Sequence, residues 1–374
     1  MPDELGALQR PASGRVTMKD VAAELGVSTA TVSRALKGDR SISVATRQAV
    51  AEVAQRVQYR PSAAARRLRT KSTSLIGVVV QSVGDGYIGD VVLGIQGRAR
   101  ELGFQPLFFA TEAKAELESQ ALEVFLSEQV SELIAVSPRG NLELLRQAVA
   151  QGLHVAVING DETVPARLID EVAHGTVSAG VARLASRRGA ERIRHIAFDD
   201  LAAGRLATEH LLGLGHVNFV HLRGPEVRSS LLRLLGYREA LTVAGLWPQP
   251  VLAARSPVMH GREAAMAAFL ATASPPIAMV AYDDLSAVAA LRAAHQAGWR
   301  VPGDLSVVGI DDIQFAAYTN PALTTVAQPK HRLGVLAVDA VLAGAAEVQV
   351  LDGELVIRES TAKAQARRRK DRPW

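Results

Sequence analysis

Apolar positions along the chain fall into two textures. From Val16 to about residue 60 they recur at helical spacing inside short segments bounded by Ser, Thr and Gly. Thr17 is placed to cap a helix running to about Leu25, with Asp20 in the first turn, where the helix dipole favours an acid. Gly26 breaks that helix, and Ser28 caps a second one reaching about Leu36. After the turn Lys37-Gly38-Asp39, Ser43 caps a third helix, on which Val50, Val53, Ala54 and Val57 are spaced to face a small core. Only Gly26, Val27 and Ser28 separate the first two helices, which is helix-turn-helix spacing. From Leu75 onward, short β-branched runs alternate with longer amphipathic patterns. Strands are predicted over 75–81, 105–110, 132–136, 154–158, 217–222, 277–281 and 305–310. Helices are predicted over 88–102, 116–129, 141–151, 204–214, 230–244, 261–272 and 285–297. Such alternation predicts doubly wound parallel sheets. Nearly 290 residues are long for one sheet, so two α/β lobes are expected after an all-α head.

Composition narrows the possible functions. The 374 residues include no cysteine, which removes disulfide scaffolds, thiolate zinc sites and cysteine nucleophiles together. Hydrophobic residues make up 48% and charged residues 21%, a globular balance. No apolar run reaches the roughly 18 residues of a membrane span, and Met1 to Arg15 lack the apolar stretch of a signal peptide. A cytoplasmic protein without membrane partners is expected. The net charge of +4 hides an asymmetry: residues 1–72 carry 13 Lys/Arg against 6 Asp/Glu, and 363–374 carry 6 against one. The body between them is acidic. A basic head on an acidic body points to a polyanion partner for the head, or to a solvated basic surface.

The run VTMKDVAAELGVSTATVSRAL, Val16 to Leu36, is the most specific string in the chain. In a helix-turn-helix the second helix enters the major groove, and residues near its N-terminal end reach base edges. That places Thr29, Ala30 and Arg34 toward bases, while Thr17, Ser28, Thr31 and Ser33 suit phosphates. Arg34 has the fork to bond a guanine edge, worth roughly 1–3 kcal/mol of discrimination. Next comes YRPSAAARRLRTKS, Tyr59 to Ser72. Pro61 and Ser62 can open a short helix with Ala63, Ala64, Ala65 and Leu68 on one face. Arg66, Arg67 and Arg69 supply phosphate contacts. A helix this short is unstable alone and is expected to form on DNA, with Leu68 as a wedge between minor-groove base steps. The alternative is a flexible charged linker.

These two strings resemble the LacI/GalR family of bacterial transcriptional repressors. So do AAGRLATEHLLGLGH (202–216), RLLGYREAL (233–241), VPGDLSVVGIDD (301–312), PALTTVAQP (321–329) and LVIREST (355–361), which follow in family order. The resemblance implies a homodimer whose paired heads read a pseudo-palindromic double-stranded operator. It implies hinge helices meeting in the minor groove, and a periplasmic-binding-protein-like body with a small-molecule effector, by default a sugar or sugar derivative, in its interlobe cleft. No cofactor is implied. The family's cleft arginine matches Arg233 and its late aspartate Asp311. Tyr87, Asp199 and Asp283 fall at further cleft positions, although strand-end acids commonly cap the next helix. Tyr282 stands where the family usually has asparagine, which puts a direct polar contact there in doubt.

The domains expected are therefore a disordered 1–15, a helix-turn-helix over 16–60, a hinge over 61–73, a two-lobed effector and dimerisation domain over 74–362, and a basic tail over 363–374. Residues 163–196 exceed the family spacing by about 25 residues. They carry Arg183, Arg187, Arg188, Arg192 and Arg194, with a helix predicted over about 176–188. A surface insertion beside the cleft is expected. The loop Gly84-Asp85-Gly86-Tyr87-Ile88-Gly89 is formally G-x-G-x-x-G after a strand, with Glu112 at the end of the next. It keeps open an NAD-binding oxidoreductase or an NAD-sensing regulator. No H-x-x-x-H, H-E-x-x-H or G-x-S-x-G pattern supports metal or serine catalysis, and no enzyme is expected.

Overall fold

The computed structural model describes residues 16–59, 74–82, 84, 86–112, 114–138, 142–160, 166–174, 193–253, 259–343 and 348–364. The chain divides into two compact units, Met1–Thr73 and Ser74–Trp374.

Among the described residues of the first unit three helices form, α1 (Met18–Leu25), α2 (Thr29–Leu36) and α3 (Val44–Arg56). Asp20 accepts the Thr17 N–H at 2.7 Å and the Thr17 hydroxyl at 2.8 Å, closing the start of α1. Gly26 ends it in the left-handed region at φ 62°, where glycine carries no Cβ penalty. Ser28 and Ser43 accept the N–H of Thr31 and Thr46, each at 3.1 Å, capping α2 and α3. Val21, Ala22, Val32, Ala35, Val50 and Val53 make the core of this small unit. Arg47 donates to the carbonyls of Asp39 and Ile42 and fixes the α2–α3 turn.

Among its described residues, the second unit holds two six-stranded sheets. The first contains β1 (Leu75–Val80), β2 (Gln105–Ala110), β3 (Glu132–Val136), β4 (His154–Ile158), β5 (Ile193–Phe198) and the late β11 (Val348–Leu351). Their order is β11-β5-β4-β3-β1-β2, all parallel. The second contains β6 (Phe219–Arg223), β7 (Val251–Ala253), β8 (Ile277–Ala281), β9 (Leu305–Asp311), β10 (Thr324–Ala327) and β12 (Glu354–Val356). It repeats the pattern as β12-β10-β9-β8-β6-β7, with only β12 antiparallel. The period of two on β1 shows how each sheet is covered on both faces. Ile76, Val78 and Val80 pack toward α4 (Gly86–Glu101) and α12 (Lys330–Ala343). Val79 packs toward α5 (Ala115–Ser127) and α6 (Leu142–Ala150). The second sheet lies between α8 (Asp200–Gly213) with α9 (Arg228–Val243) on one face and α10 (Met259–Leu270) with α11 (Asp284–Gln296) on the other. The chain passes between lobes after β5, after β10 and between β11 and β12, so the lobes share three adjacent connections.

Each lobe is closed by two helices crossing at glycines. A Cβ on Gly204 of α8 would stand 2.1 Å from the Arg233 carbonyl oxygen, and one on Gly236 of α9 would stand 2.1 Å from that of Leu201. Gly94 of α4 and Gly334 of α12 meet in the same way, at 2.1 and 2.2 Å. Because backbone is the obstacle, no side chain can give way. Gly204→Ala is therefore expected to cost about 1–3 kcal/mol by overpacking and to push Arg233 off its position. A urea midpoint equal to wild type would show that the helices separate freely.

The segment 163–196 departs from the expected surface insertion at both of its described ends. Residues 166–173 form α7 (Ala166–Ala173), whose Leu168, Ile169 and Val172 are buried with Phe198, Leu231 and Val280 in the second lobe. Residues 193–198 are β5, an interior strand between β4 and β11, with Arg194 buried. Burial of these apolar groups makes the ends part of the core. The helix predicted over 176–188 lies outside the described residues, as do Arg183, Arg187, Arg188 and Arg192.

One consequence of burial is an acid-sensitive body. His221 on β6 is fully buried against Tyr237, ring centroids 5.1 Å apart, and burial pushes its pKa from an ordinary 6.5 down to about 3. The unfolded chain then binds the proton more readily, so stability is complete above pH 6.5 and is lost as pH falls from there toward 3. His195, His210 and His216 are lowered by burial in the same direction. Thermal midpoints should fall between pH 7 and 5, and His221→Leu should remove about one proton of that slope, roughly 1.4 kcal/mol per pH unit. An unchanged slope would contradict a neutral buried His221.

Candidate functional site

Two surfaces carry chemistry. On the first unit, α2 buries Val32 and Ala35 and leaves Thr29, Ala30 and Arg34 exposed, so the helix has one face in the core and the other outward. Ala30 and Arg34 are four residues apart and share that outer face. Thr31 and Ser33 are partly buried beside it. The Ser28 and Thr31 hydroxyls lie 2.9 Å apart, and Ser28 also accepts the Thr31 N–H. Thr17 sits exposed at the start of α1. All seven head residues singled out from the sequence are thus on the surface or at its edge, with Arg34 in the last turn of α2. The hinge candidates Ser62, Ala64, Leu68 and Arg69 lie outside the described residues.

The second site lies between the lobes, at the carboxyl ends of the strands, where open α/β sheets place ligands. A cavity of about 90 Å³ is lined from the first lobe by Gln81, Tyr87, Ser137 and Asn159, and from the second by Asp200, Arg233, Tyr282, Asp283 and Asp311 among others. Arg233 is its centre. Nε donates to Asp200 at 2.8 Å and Nη2 to Asp311 at 3.2 Å, and Nη1 donates to the Tyr282 carbonyl. The guanidinium also lies over the Tyr282 ring, 4.8 Å from its centroid, a cation–π placement. Burial alone would lower the Arg233 pKa, but Asp311 and Asp200 outweigh it and hold the group well above its ordinary value. On the first-lobe side Asn159 joins the two halves. Its amide nitrogen donates to the Tyr87 hydroxyl at 2.6 Å and to Gln328 Oε1 at 3.2 Å, and its oxygen accepts the Phe198 N–H at 2.7 Å. Gln328 in turn donates to Asp311 at 2.6 Å. Four non-glycine residues at strand ends around the cavity have positive φ: Ser137, Asn159, Asp311 and Asp312. Such strain persists only where surrounding contacts hold it.

The cavity brings together five of the six body candidates. Asp199 is the exception: its carboxylate accepts the Ala202 N–H at 2.8 Å and caps α8, and it is not among the lining residues. The adjacent Asp200 reaches Arg233 instead. Asp283 lines the cavity but is also a cap, bound by the Ser286 N–H at 2.6 Å and by Arg262 at 2.9 Å. The Tyr282 hydroxyl lies 2.9 Å from the Ser229 hydroxyl. Asn159, Gln328 and Asp200 were missed by sequence reasoning; the first two sit in the strings VAVING and TTVAQP, just past apolar strand runs. Of the glycine-rich string, Gly86 to Gly89 open α4 rather than a loop; Tyr87 and Ile88 line this cavity, and an added Cβ on Gly86 would stand 3.5 Å from Ile313. Glu112 pairs with Lys114 at 2.7 Å. Asp85 lies outside the described residues.

Residues 17–62 match the family described as bacterial regulatory proteins, lacI family, and residues 208–361 match a periplasmic binding protein-like domain. The chain is 30% identical over 362 residues to the HTH-type transcriptional regulator DegA of Bacillus subtilis, covering 93% of this chain and 98% of the relative. The chain belongs to the LacI family. Another relative, GalS of Salmonella typhimurium, is 32% identical over 333 residues, 88% of this chain and 90% of that one. Among solved structures, the lac repressor dimer bound to operator and the anti-inducer ONPF superposes with a TM-score of 0.76 at 27% identity, covering 93% of this chain and 99% of that one. The fold is accordingly that of a LacI family DNA-binding transcriptional regulator, a helix-turn-helix head followed by a periplasmic-binding-protein-like body. Among the described residues, no helix is long and apolar enough to cross a membrane.

Proposed function

We propose that this LacI family regulator is a repressor that binds a pseudo-palindromic operator as a homodimer and is controlled by a sugar or sugar derivative held between its lobes. The observation that carries the effector half is the cleft itself. Arg233 is poised between two carboxylates, and amide and hydroxyl groups from both lobes surround the same cavity. Carboxylates accept from vicinal hydroxyls while guanidinium and amide groups donate to oxygens, which suits a polyhydroxylated ligand. Tyr87 and Tyr282 offer apolar ring surface, and Asp311 and Asp283 the acceptors. Relatives support this class: one is the ribose operon repressor of Escherichia coli, and one solved structure is a CelR–cellobiose complex.

In the head, Thr29, Ala30 and Arg34 contact bases, and Thr17, Ser28, Thr31 and Ser33 position the helices on phosphates. Ser62, Ala64, Leu68 and Arg69 supply the minor-groove contacts of the hinge. The effector acts by its differential affinity for two lobe arrangements, which sets the size of the response. Thermal unfolding of the purified protein across a panel of monosaccharides and disaccharides tests the effector. A sugar at 100 times its dissociation constant should add about 2.7 kcal/mol to stability. A panel without any shift would leave the cleft without its proposed ligand.

A further inference from the structure

Lys330 occupies a place that elementary energetics disfavours. It is the first residue of α12, where the helix dipole repels a cation, and it is only 7% exposed, so its ammonium is also stripped of most water. Its compensation comes from across the cleft. Nζ donates to the Asp311 carbonyl at 2.7 Å and to the Asp312 carbonyl at 2.5 Å. It also lies 3.5 Å from the Asp90 carboxylate on α4. The two carbonyls belong to residues whose φ values, 122° and 49°, are rare for side-chain-bearing residues. That conformation turns both carbonyls toward one point while the Asp311 carboxylate meets Arg233 and Gln328. The following backbone is held as well: the Asp312 N–H meets Thr325 at 3.3 Å and the Ile313 N–H meets Asp284 at 2.8 Å. The Asp312 carboxylate accepts from Arg358 at 2.7 Å.

We propose that Lys330 is the positioning residue of the cleft. From the first lobe its ammonium holds the strained Asp311–Asp312 turn of the second, aims the Asp311 carboxylate at the ligand, and ties that turn to α4 through Asp90. Lys330 does not touch the ligand; it acts through Asp311. The proposal rests on the effector reading of the cleft for its consequence and on the described geometry for its cause, so the two are tested separately.

Lys330→Met keeps the length of the side chain and removes its charge and donors. Lys330→Arg keeps both, and the open pocket that Lys330 shares with Asp90, Leu93 and Pro329 has room for the longer group. Ligand-free amide exchange, read by mass spectrometry on peptides spanning 311–313, should quicken in Lys330→Met. It should return toward wild type in Lys330→Arg, while peptides of β8 and α8 stay unchanged. In parallel, calorimetry with D-ribose, D-galactose and cellobiose gives affinities. For whichever sugar wild type binds, Lys330→Met should weaken it about tenfold or more and Lys330→Arg by less than about threefold. Exchange and affinity in Lys330→Met equal to wild type would overturn the proposal. So would Lys330→Arg behaving like Lys330→Met, since a retained charge and its donors would then not be what holds the turn. If wild type binds none of these sugars, the effector reading fails for them. The exchange of 311–313 still decides whether Lys330 holds the turn.

Discussion

Replacing Arg233 by alanine is expected to cost about 3–5 kcal/mol of stability, because it removes the cation from two buried carboxylates rather than from solvent. The side chains of Asp200 and Asp311 are only 8% and 14% exposed, and each makes an ion pair with the same guanidinium. Without it the two carboxylates are left in a poorly solvated cleft with the shared guanidinium gone. Urea denaturation at pH 7.5 checks the loss. A midpoint unchanged at pH 7.5 would mean that Arg233 serves the ligand alone. Effector assays on Arg233→Ala are confounded by this loss, and Arg233→Lys, which keeps the charge and loses the fork, separates binding from folding.

The second large effect belongs to the head. Arg34→Ala should reduce the preference for operator over unrelated DNA by roughly 1–3 kcal/mol, since a bidentate contact to a base edge carries that much discrimination. The residue is exposed on α2, away from the buried Val32 and Ala35, so the head should stay folded. Binding to unrelated DNA, which rests on phosphate contacts, should persist and remain steeply salt-dependent. Anisotropy with specific and scrambled duplexes measures the ratio. An equal loss on both would make Arg34 a phosphate contact instead.

The head was the most legible part of the sequence because its signals are local. Caps at Ser28 and Ser43, the glycine at 26 and apolar spacing within each helix all lie a few residues from the structure they specify. The strands of the body were legible where apolar runs are unbroken, as in Leu75–Val80 and Ile277–Ala281. β5 was not, because Arg194 and His195 interrupt its pattern although the strand is interior. The segment around it was expected on the surface because it is longer than the family spacing, a surplus of length that does not say which of its residues are buried.

Of the cleft candidates, Arg233, Tyr87, Tyr282, Asp283 and Asp311 line the cavity, and beside Asp199 it is the neighbouring Asp200 that does so. Two adjacent acids at a helix start look alike in sequence. Only the helix geometry decides that Asp199 caps α8 while Asp200 turns inward to the guanidinium. Asn159 carries no local motif, and Gln328 lies in the string PALTTVAQP without being marked there as a cleft residue. Their roles arise because parallel strands from distant parts of the chain end at the same place, a property of topology rather than of neighbouring residues.

The most direct test of an effector-controlled DNA-binding regulator is fluorescence anisotropy of the full chain on palindromic DNA from upstream of its own gene, with salt and then sugars titrated. Binding should be tight, prefer that DNA over scrambled sequence, lose several decades with added salt, and shift with a sugar that also raises the thermal midpoint. Equal affinity for scrambled and palindromic DNA, with and without every sugar that stabilises the body, would contradict the account.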